Sequence, residues 1–532
     1  MSTHANRRGT LFLSVAIALC AVLLLIHYLA PGASAGSVPT SIANAAIRYV
    51  DTGGDDSNND CLDISSPCAT IQHAIDVANA GDEVRVAAGT YDQVQIKSNA
   101  QGVTFTQIAY IDKGLVLQGG FTTSDWNAAD PQNNVTTLDP QGHGRGVTIL
   151  DTYNNPVTID GFTITNGDYT GLGNPPDQSN LSCNRAGEDC AGAIFGRGSA
   201  MNFKNLLLTN NIGSRVGGDG GAIYLISARE VTVENTRVIS NTSISAGGMF
   251  VLWQNYPFTI KECLFQENTA GFGGGLVLND FRTQVTIERT EFISNVATLY
   301  EAGAAYIRPA SNNGHLTMDR VRFIGNQAAD KGKALWLNST TSGTDVDMRL
   351  TNLVLAHNAN PPGTAAADDD AVIYVSTRFK TVDLSLAHVT AADNPLTNFL
   401  YVEAENDAGE QTRVQIANTL VTGVDYAFAG QTVEDGTLTL TDTNSLLFDI
   451  GTGPYHDLGG SPSFSGTGAV YGDPLLSGSY HLNFGSAAID AGIDAGVPHD
   501  IDGDTRPYGE LPDIGADELT VRFIYLPLII KP

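Results

Sequence analysis

An eleven-residue block recurs along the middle of the chain at intervals of about thirty residues, with apolar side chains at its positions 1, 3, 6 and 8 and asparagine at position 11. The first gap-free copy carries Met201, Phe203, Leu206, Leu208 and Asn211, and the second Val231, Val233, Thr236, Val238 and Asn241. Later copies end at Asn268, Asn295, Asn326, Asn358 and Asn394, and a fading one carries Val414, Ile416, Thr419 and Val421. Positions 1 and 3, and again 6 and 8, alternate as half-buried strands do, and the phase slip between 3 and 6 marks a bend joining two short strands. Helical spacing does not repeat such a slip.

A unit this small cannot bury its own apolar face, so it must lie on its neighbours with like residues over like. The pattern predicts an all-β solenoid whose columns become ladders with steps of about 4.8 Å. Phe265, Phe292 and Phe323 then fall in one interior stack, and Cys263 shares a packing column with Thr236 and Thr290. The asparagines fall at a turn where side-chain amides can bond to the coils above and below. A glycine followed by small and apolar residues precedes most blocks, as at Gly192, Gly221, Gly248 and Gly275, where it permits tight turns and close backbone approach.

A chain of 532 residues with 57 glycines and only 16% charged residues suits one elongated array of short strands and turns. Its formal net charge of −29 repels nucleic acid and anionic membranes. Residues 1–35 read as a signal peptide: Arg7 and Arg8, an apolar run from Leu11 to Ala30, then Ala33-Ser34-Ala35 as a cleavage site. The run is also long enough for an uncleaved anchor, and both outcomes place the remainder outside the cytoplasm, secreted or at the cell surface. In that compartment Cys61 with Cys68, and Cys183 with Cys190, read as local disulfides. A metal site is the rival reading of the four, disfavoured because no histidine is recognised at ligand spacing.

Residues 36–96 read as an N-terminal cap and first coil, with a strand at 47–50 and a short helix presenting Ile71, Ala74, Ile75 and Ala78, capped by Ser66, begun by Pro67 and ended by Gly81. Repeats follow over 97–425, interrupted by a polar insertion from Asp168 to Cys190, then irregular last coils over 426–470, a distinct segment over 471–518, and an apolar tail over 519–532.

The glycine-plus-"FxxN" units resemble the repeats of bacterial polymorphic outer-membrane proteins and, more broadly, the secreted right-handed β-helix family that includes pectate lyases. The opening "SSPCATIQHAIDVANAGDEVRVAAGTY" is similar to the capped start of many bacterial members, and "DIDGDTRP" with "DIGADE" resembles a C-terminal choice-of-anchor module. The resemblance implies a single-stranded right-handed parallel β-helix over roughly residues 48–518, a short capping helix at its start and a C-terminal segment closing the last coils.

Candidate chemistry is sparse. Asp500, Asp502 and Asp504 alternate along an acidic loop, a spacing that lets carboxylates converge on one Ca2+; the rival is an Asp-Gly turn whose carboxylates bind backbone amides. Asp55, Asp56 and Asp60 form a second acidic loop of ordinary turn composition. Glu234, Glu262, Glu288 and Asp319 fall near outward-facing block positions, and His73, His315, His357, His388 and His481 are scattered without a nucleophile. No carboxylate ladder with a basic partner recurs as in the lyases. The expectation is a rigid monomeric surface for adhesion or contact with a polysaccharide or cell-surface glycan, without an evident catalytic site and with membrane contact only through the two ends. A polysaccharide lyase or glycoside hydrolase on the same scaffold is the alternative.

Overall fold

The computed structural model describes residues 45–173, 189–310, 314–340, 345–364 and 367–520. Residues 1–35, Cys183 and the tail 521–532 lie outside the described residues. The chain divides into residues 1–45 and 46–532. The account below concerns the second.

Strands from successive turns of the chain stack in parallel, block position over block position. Position 1 runs Val231 on Phe258, Phe258 on Val285, Val285 on Leu316, Leu316 on Met348 and Met348 on Leu384. Positions 6 to 9 form a second column of strands, as where Arg237–Ile239 pairs with Leu264–Gln266. A third column comes from the glycine-led segments, including Ile223–Ile226, Met249–Leu252 and Leu276–Phe281. The topology is a single-stranded parallel β-helix. Its interior holds the fully buried Phe265, Phe292 and Phe323, stacked at ring separations of 4.9 and 5.1 Å.

The phase slip has a backbone cause. Position 5 of each block turns with positive φ: Asn205, Asn235, Glu262, Arg289, Arg320, Asn352, His388 and Asn418 all lie between 46° and 55°. This left-handed residue swings the chain from one strand into the next, and its frequent occupant is asparagine because asparagine tolerates that region. Position 6 braces the bend. Thr236 Oγ1 donates to Glu234 O at 3.0 Å and Thr290 Oγ1 to Glu288 O at 2.9 Å, and Cys263 Sγ lies 3.2 Å from Lys261 O in the same place. Position 10 repeats the left-handed turn at Asn210, Ser240, Glu267, Ser294 and His357.

Immediately after that second turn stand the fully buried asparagines 211, 241, 268, 295, 326, 358 and 394. Asn241 donates from its backbone N and its Nδ2 to Asn268 Oδ1 (3.1 and 3.0 Å), and its Nδ2 also reaches Leu208 O (2.9 Å). The same three bonds recur at Asn268, Asn295, Asn326 and Asn358. Each buried amide thereby satisfies its own polar atoms and those of the turn.

The N-terminal helix is Ile71–Val77, and it starts later than the sequence suggests. Thr70 is its N-cap, accepting from His73 N at 3.2 Å, and Ala78 ends it. Ser66 and Pro67 lie instead in the loop closed by the Cys61–Cys68 disulfide, where Cys68 bridges to Val50 and so holds the chain extended. Ile71, Ala74 and Ile75 are buried in the main core.

Residues 471–519 differ most from the expected closing coil. They contain no regular strand and run back along the outside of the solenoid. Tyr480, Ile501 and Ala516 pack on Val354, Ala356 and Ala392, while Leu482, Ala488 and Ile514 pack on Leu420 and Leu446. Polar contacts lock this strap to the left-handed column: Asn352 Nδ2 donates to His499 O (2.9 Å), Asn418 exchanges two bonds with Ile493 (2.7 and 2.9 Å), and Asn444 Nδ2 donates to Ala491 O (3.3 Å). It covers the bend of the later coils and leaves the earlier bend open.

Candidate functional groove

Where the strap stops, the outer corner at block positions 4 to 7 is a groove of about 460 Å3 lined by Arg237, Glu262, Arg289, Glu291, Arg320 and Arg322, with Ile501 and Asp502 of the strap at one end. A second hollow shares Arg237 and continues past Asn235 and Asn205 to Pro131. On the far side, the strap's Ile493 and Ala495 wall a third against Arg349, Gln415 and Thr443. The open corner therefore runs along the solenoid, its side chains repeating at the strand spacing of about 4.8 Å.

Strand alternation sets which side chains meet here. Positions 4 and 7 point outward opposite the buried 3 and 8, and the left-handed position 5 projects from the corner itself. Arg289 Nε donates to Glu262 Oε1 (3.0 Å) one coil back and its Nη2 to Glu288 Oε1 (3.3 Å). Arg320 Nε donates to Asp319 (3.0 Å) and Arg322 Nη2 to Asp502 (3.3 Å). Lys261 and Glu234 pair at 3.0 Å, which lowers the pKa of Glu234 and raises that of Lys261. Arg237 is exposed and has no ion-pair partner among the described residues. In a chain with 57 acidic and 28 basic residues, the four arginines of the groove face three carboxylates of its lining, with Glu288 and Asp319 beside them, so charge here is close to balanced rather than strongly acidic. Of the outward carboxylates named from the sequence, Glu262 lines this groove, while Glu234, Glu288 and Asp319 pair with its cations or their neighbours.

The acidic loop does not gather its carboxylates. Asp500 is fully buried, its Oδ1 accepting from the N–H groups of Asp502 and Asp504 (3.0 and 2.7 Å) and its Oδ2 from Glu518 N (3.0 Å). Asp502 turns to Arg322 and His481, and Asp504 to Thr520 Oγ1 at 3.0 Å. Backbone amides thus occupy the carboxylate of Asp500 while Asp502 and Asp504 face other partners, the arrangement of the Asp-Gly turn weighed against a joint Ca2+ site. In the cap, Asp56 accepts from Ala69 N, Thr70 N and Thr70 Oγ1, and Asp55 and Asp60 each bind a backbone amide two residues on.

Among the described residues two groups bring three ligand side chains together. Cys61, Cys68 and His73 is one, a histidine proximity unseen in the spacing, but both sulfurs are bonded to each other and offer no thiolate. His481, Asp502 and Asp517 is the other, and no local pattern marks it, since the three are joined only by the path of the strap. Cys263 is free and buried, its thiol pushed up to about 12 by burial, which keeps it from acting as a nucleophile. Cys190 is buried.

The solenoid is a right-handed parallel β-helix, and residues 145–347 match the family described as the right handed beta helix region. Among solved structures the chain is similar to pectate lyase Pel9A, at 15% identity over 90% of this chain and 98% of that one, with a TM-score of 0.43. It is also similar to the GH136 lacto-N-biosidase from Eubacterium ramulus (8% identity, 79% and 68% covered, TM-score 0.31) and to PfbA, a surface adhesin of Streptococcus pneumoniae (12%, 75% and 87%, TM-score 0.32). No curated protein matches it.

Proposed function

We propose that this is a secreted or cell-surface β-helix protein that binds an acidic glycan chain along its open corner groove. One observation carries the reading: Arg237, Arg289, Arg320 and Arg322 gather in one corner groove of an otherwise acidic molecule, and Arg237 has no ion-pair partner among the described residues. Guanidinium groups bind carboxylates and sulfates in bidentate fashion, and a local cluster of them in an acidic surface gives an anionic polymer a place to bind. The rigid coil spacing suits a repeating ligand lying along the axis. The N-terminal apolar segment and the Cys61–Cys68 disulfide support an extracytoplasmic location. Among the described residues no helix is long and apolar enough to cross a membrane.

The test is calorimetric titration with polygalacturonate and with a neutral glucan. Binding to the polyuronate should weaken with salt and fall at least tenfold in an Arg237→Ala, Arg289→Ala double variant; equal affinity for both polymers, or none for either, overturns the reading. A second reading, a polysaccharide lyase or hydrolase, is favoured by Glu262 and Glu291 lining the same groove as the arginines. A rise in absorbance at about 235 nm on polyuronate, the mark of an unsaturated product, or release of reducing ends, would establish it.

A further inference from the structure

We propose that His481, Asp502 and Asp517 bind one first-row divalent cation, with Zn2+ as the reference ion, and that this ion staples the strap. The three side chains each place a ligand atom within 4.8 Å of the others. They come from separate stretches of a segment that has no strand or helix of its own to hold it together.

Each ligand is also held from behind. His481 Nδ1 lies 2.8 Å from Ser479 Oγ, which fixes the ring and leaves Nε2 to face Asp502 Oδ2 at 2.6 Å. Asp502 Oδ1 accepts from Arg322 (3.3 Å) on the coil beneath, and Asp517 Oδ2 accepts from Leu482 N (2.7 Å). Metal sites carry such outer partners because they fix the tautomer and aim the ligands. An ion with bonds of about 2 Å enters when the His481–Asp502 contact parts by less than an ångström.

Charge and donor type select the ion. Asp517 is buried beside His481 and Asp502, so two carboxylates and one imidazole converge, with Arg322 offsetting part of the charge of Asp502. A nitrogen donor beside two carboxylates suits Zn2+, Co2+ or Mn2+ better than Ca2+, which prefers oxygen alone. Asp502 also lines one end of the groove, so the two sites adjoin, but cation binding needs no polymer there.

The experiment uses the full, tag-free chain stripped with EDTA and dialysed into non-chelating buffer. Titration with Zn2+ against a chromophoric chelator should give one ion per chain and Co2+ should give visible d–d bands. His481→Gln and Asp517→Asn should each weaken Zn2+ at least tenfold, while Asp504→Asn should not. His481 is partly exposed, so its variant keeps the fold, and a matching far-UV spectrum checks this. Absence of a stoichiometric ion in the parent chain, or undiminished affinity in His481→Gln, overturns the proposal.

Discussion

Asn326 Oδ1 accepts twice from Asn295, once from its backbone N–H at 3.0 Å and once from its side-chain Nδ2 at 3.0 Å. Asn295 Nδ2 also donates to Phe265 O at 2.9 Å, so one buried amide ties three coils. Asn295→Ala removes the acceptor for both donors of Asn268 and strands them without water. The expected loss is about 3 kcal/mol of unfolding free energy, measured by urea denaturation. A loss below about 1 kcal/mol would show that the neighbouring turns relax to satisfy one another.

Cys263 takes the place that threonine holds in the adjacent coils, with Sγ against Lys261 O and Val233 O. Cys263→Thr should therefore change stability by less than about 1 kcal/mol, whereas Cys263→Leu overfills the column and should cost about 1–3 kcal/mol. The native thiol should remain unmodified by a thiol-specific reagent until the chain is unfolded, which a time course with and without denaturant reads directly.

His388 lies beneath the strap with its pKa lowered to about 3, first by burial and then by the charge of Arg506. The unfolded chain takes up this proton near 6.5 and the folded one not until about 3. Stability is therefore complete above pH 6.5 and drains away as pH falls toward 3, by up to about 1.4 kcal/mol per pH unit from this group. His388→Asn keeps a residue that suits the left-handed bend and cannot take the proton. Subtracting its pH–stability curve from the parent's cancels the shared groups, including Asp442, whose pKa burial raises to about 6 and whose effect has the opposite sign. A flat difference between pH 3 and 6.5 refutes the assignment.

Asn418 holds Ile493 by both of its amide atoms. Asn418→Ala should loosen the strap selectively, seen in hydrogen exchange as faster exchange over residues 490–515 while the stacked strands before Ile324 keep their protection. Uniform loosening of both would mean that the strap and the coils open together.

The register of the solenoid was legible because burial alternates along each strand and the same alternation repeats coil after coil, so Val231, Phe258 and Val285 report one column. The left-handed bends were also written in the chain, as Asn205, Asn235, Asn352, Asn418 and Asn444 at position 5, but they were overshadowed by the apolar periodicity on either side. The path of the strap was not legible from local pattern. Its signal was distant and partial: beyond Arg322 position 7 carries Val354 and Leu420, apolar where the strap covers them, although Leu207 and Leu264 hold the same position in the open coils. The same logic applies to Tyr224, Phe250 and Tyr306, outward yet buried in a secondary cluster. The groove was not legible in any one block because its arginines are spread over positions 5 and 7 of three blocks, and spacing along the chain says nothing about which carboxylate of the acidic loop the backbone will claim.

The strap also changes what the end of this molecule is. A stack of coils ordinarily frays from its last turn, because that turn has a neighbour on one side only. Here Asp502 is bonded to Arg322, 180 residues earlier, and the chain's last described stretch lies over coils from well inside the stack. The strap carries contacts of the longest sequence separation, so it settles only after the coils beneath it exist, and opening the last coils must first lift a belt fastened upstream. The belt's hold on the coils runs through Arg322, Asn352 and Asn418, so loosening of the later coils is expected to begin at these fastenings.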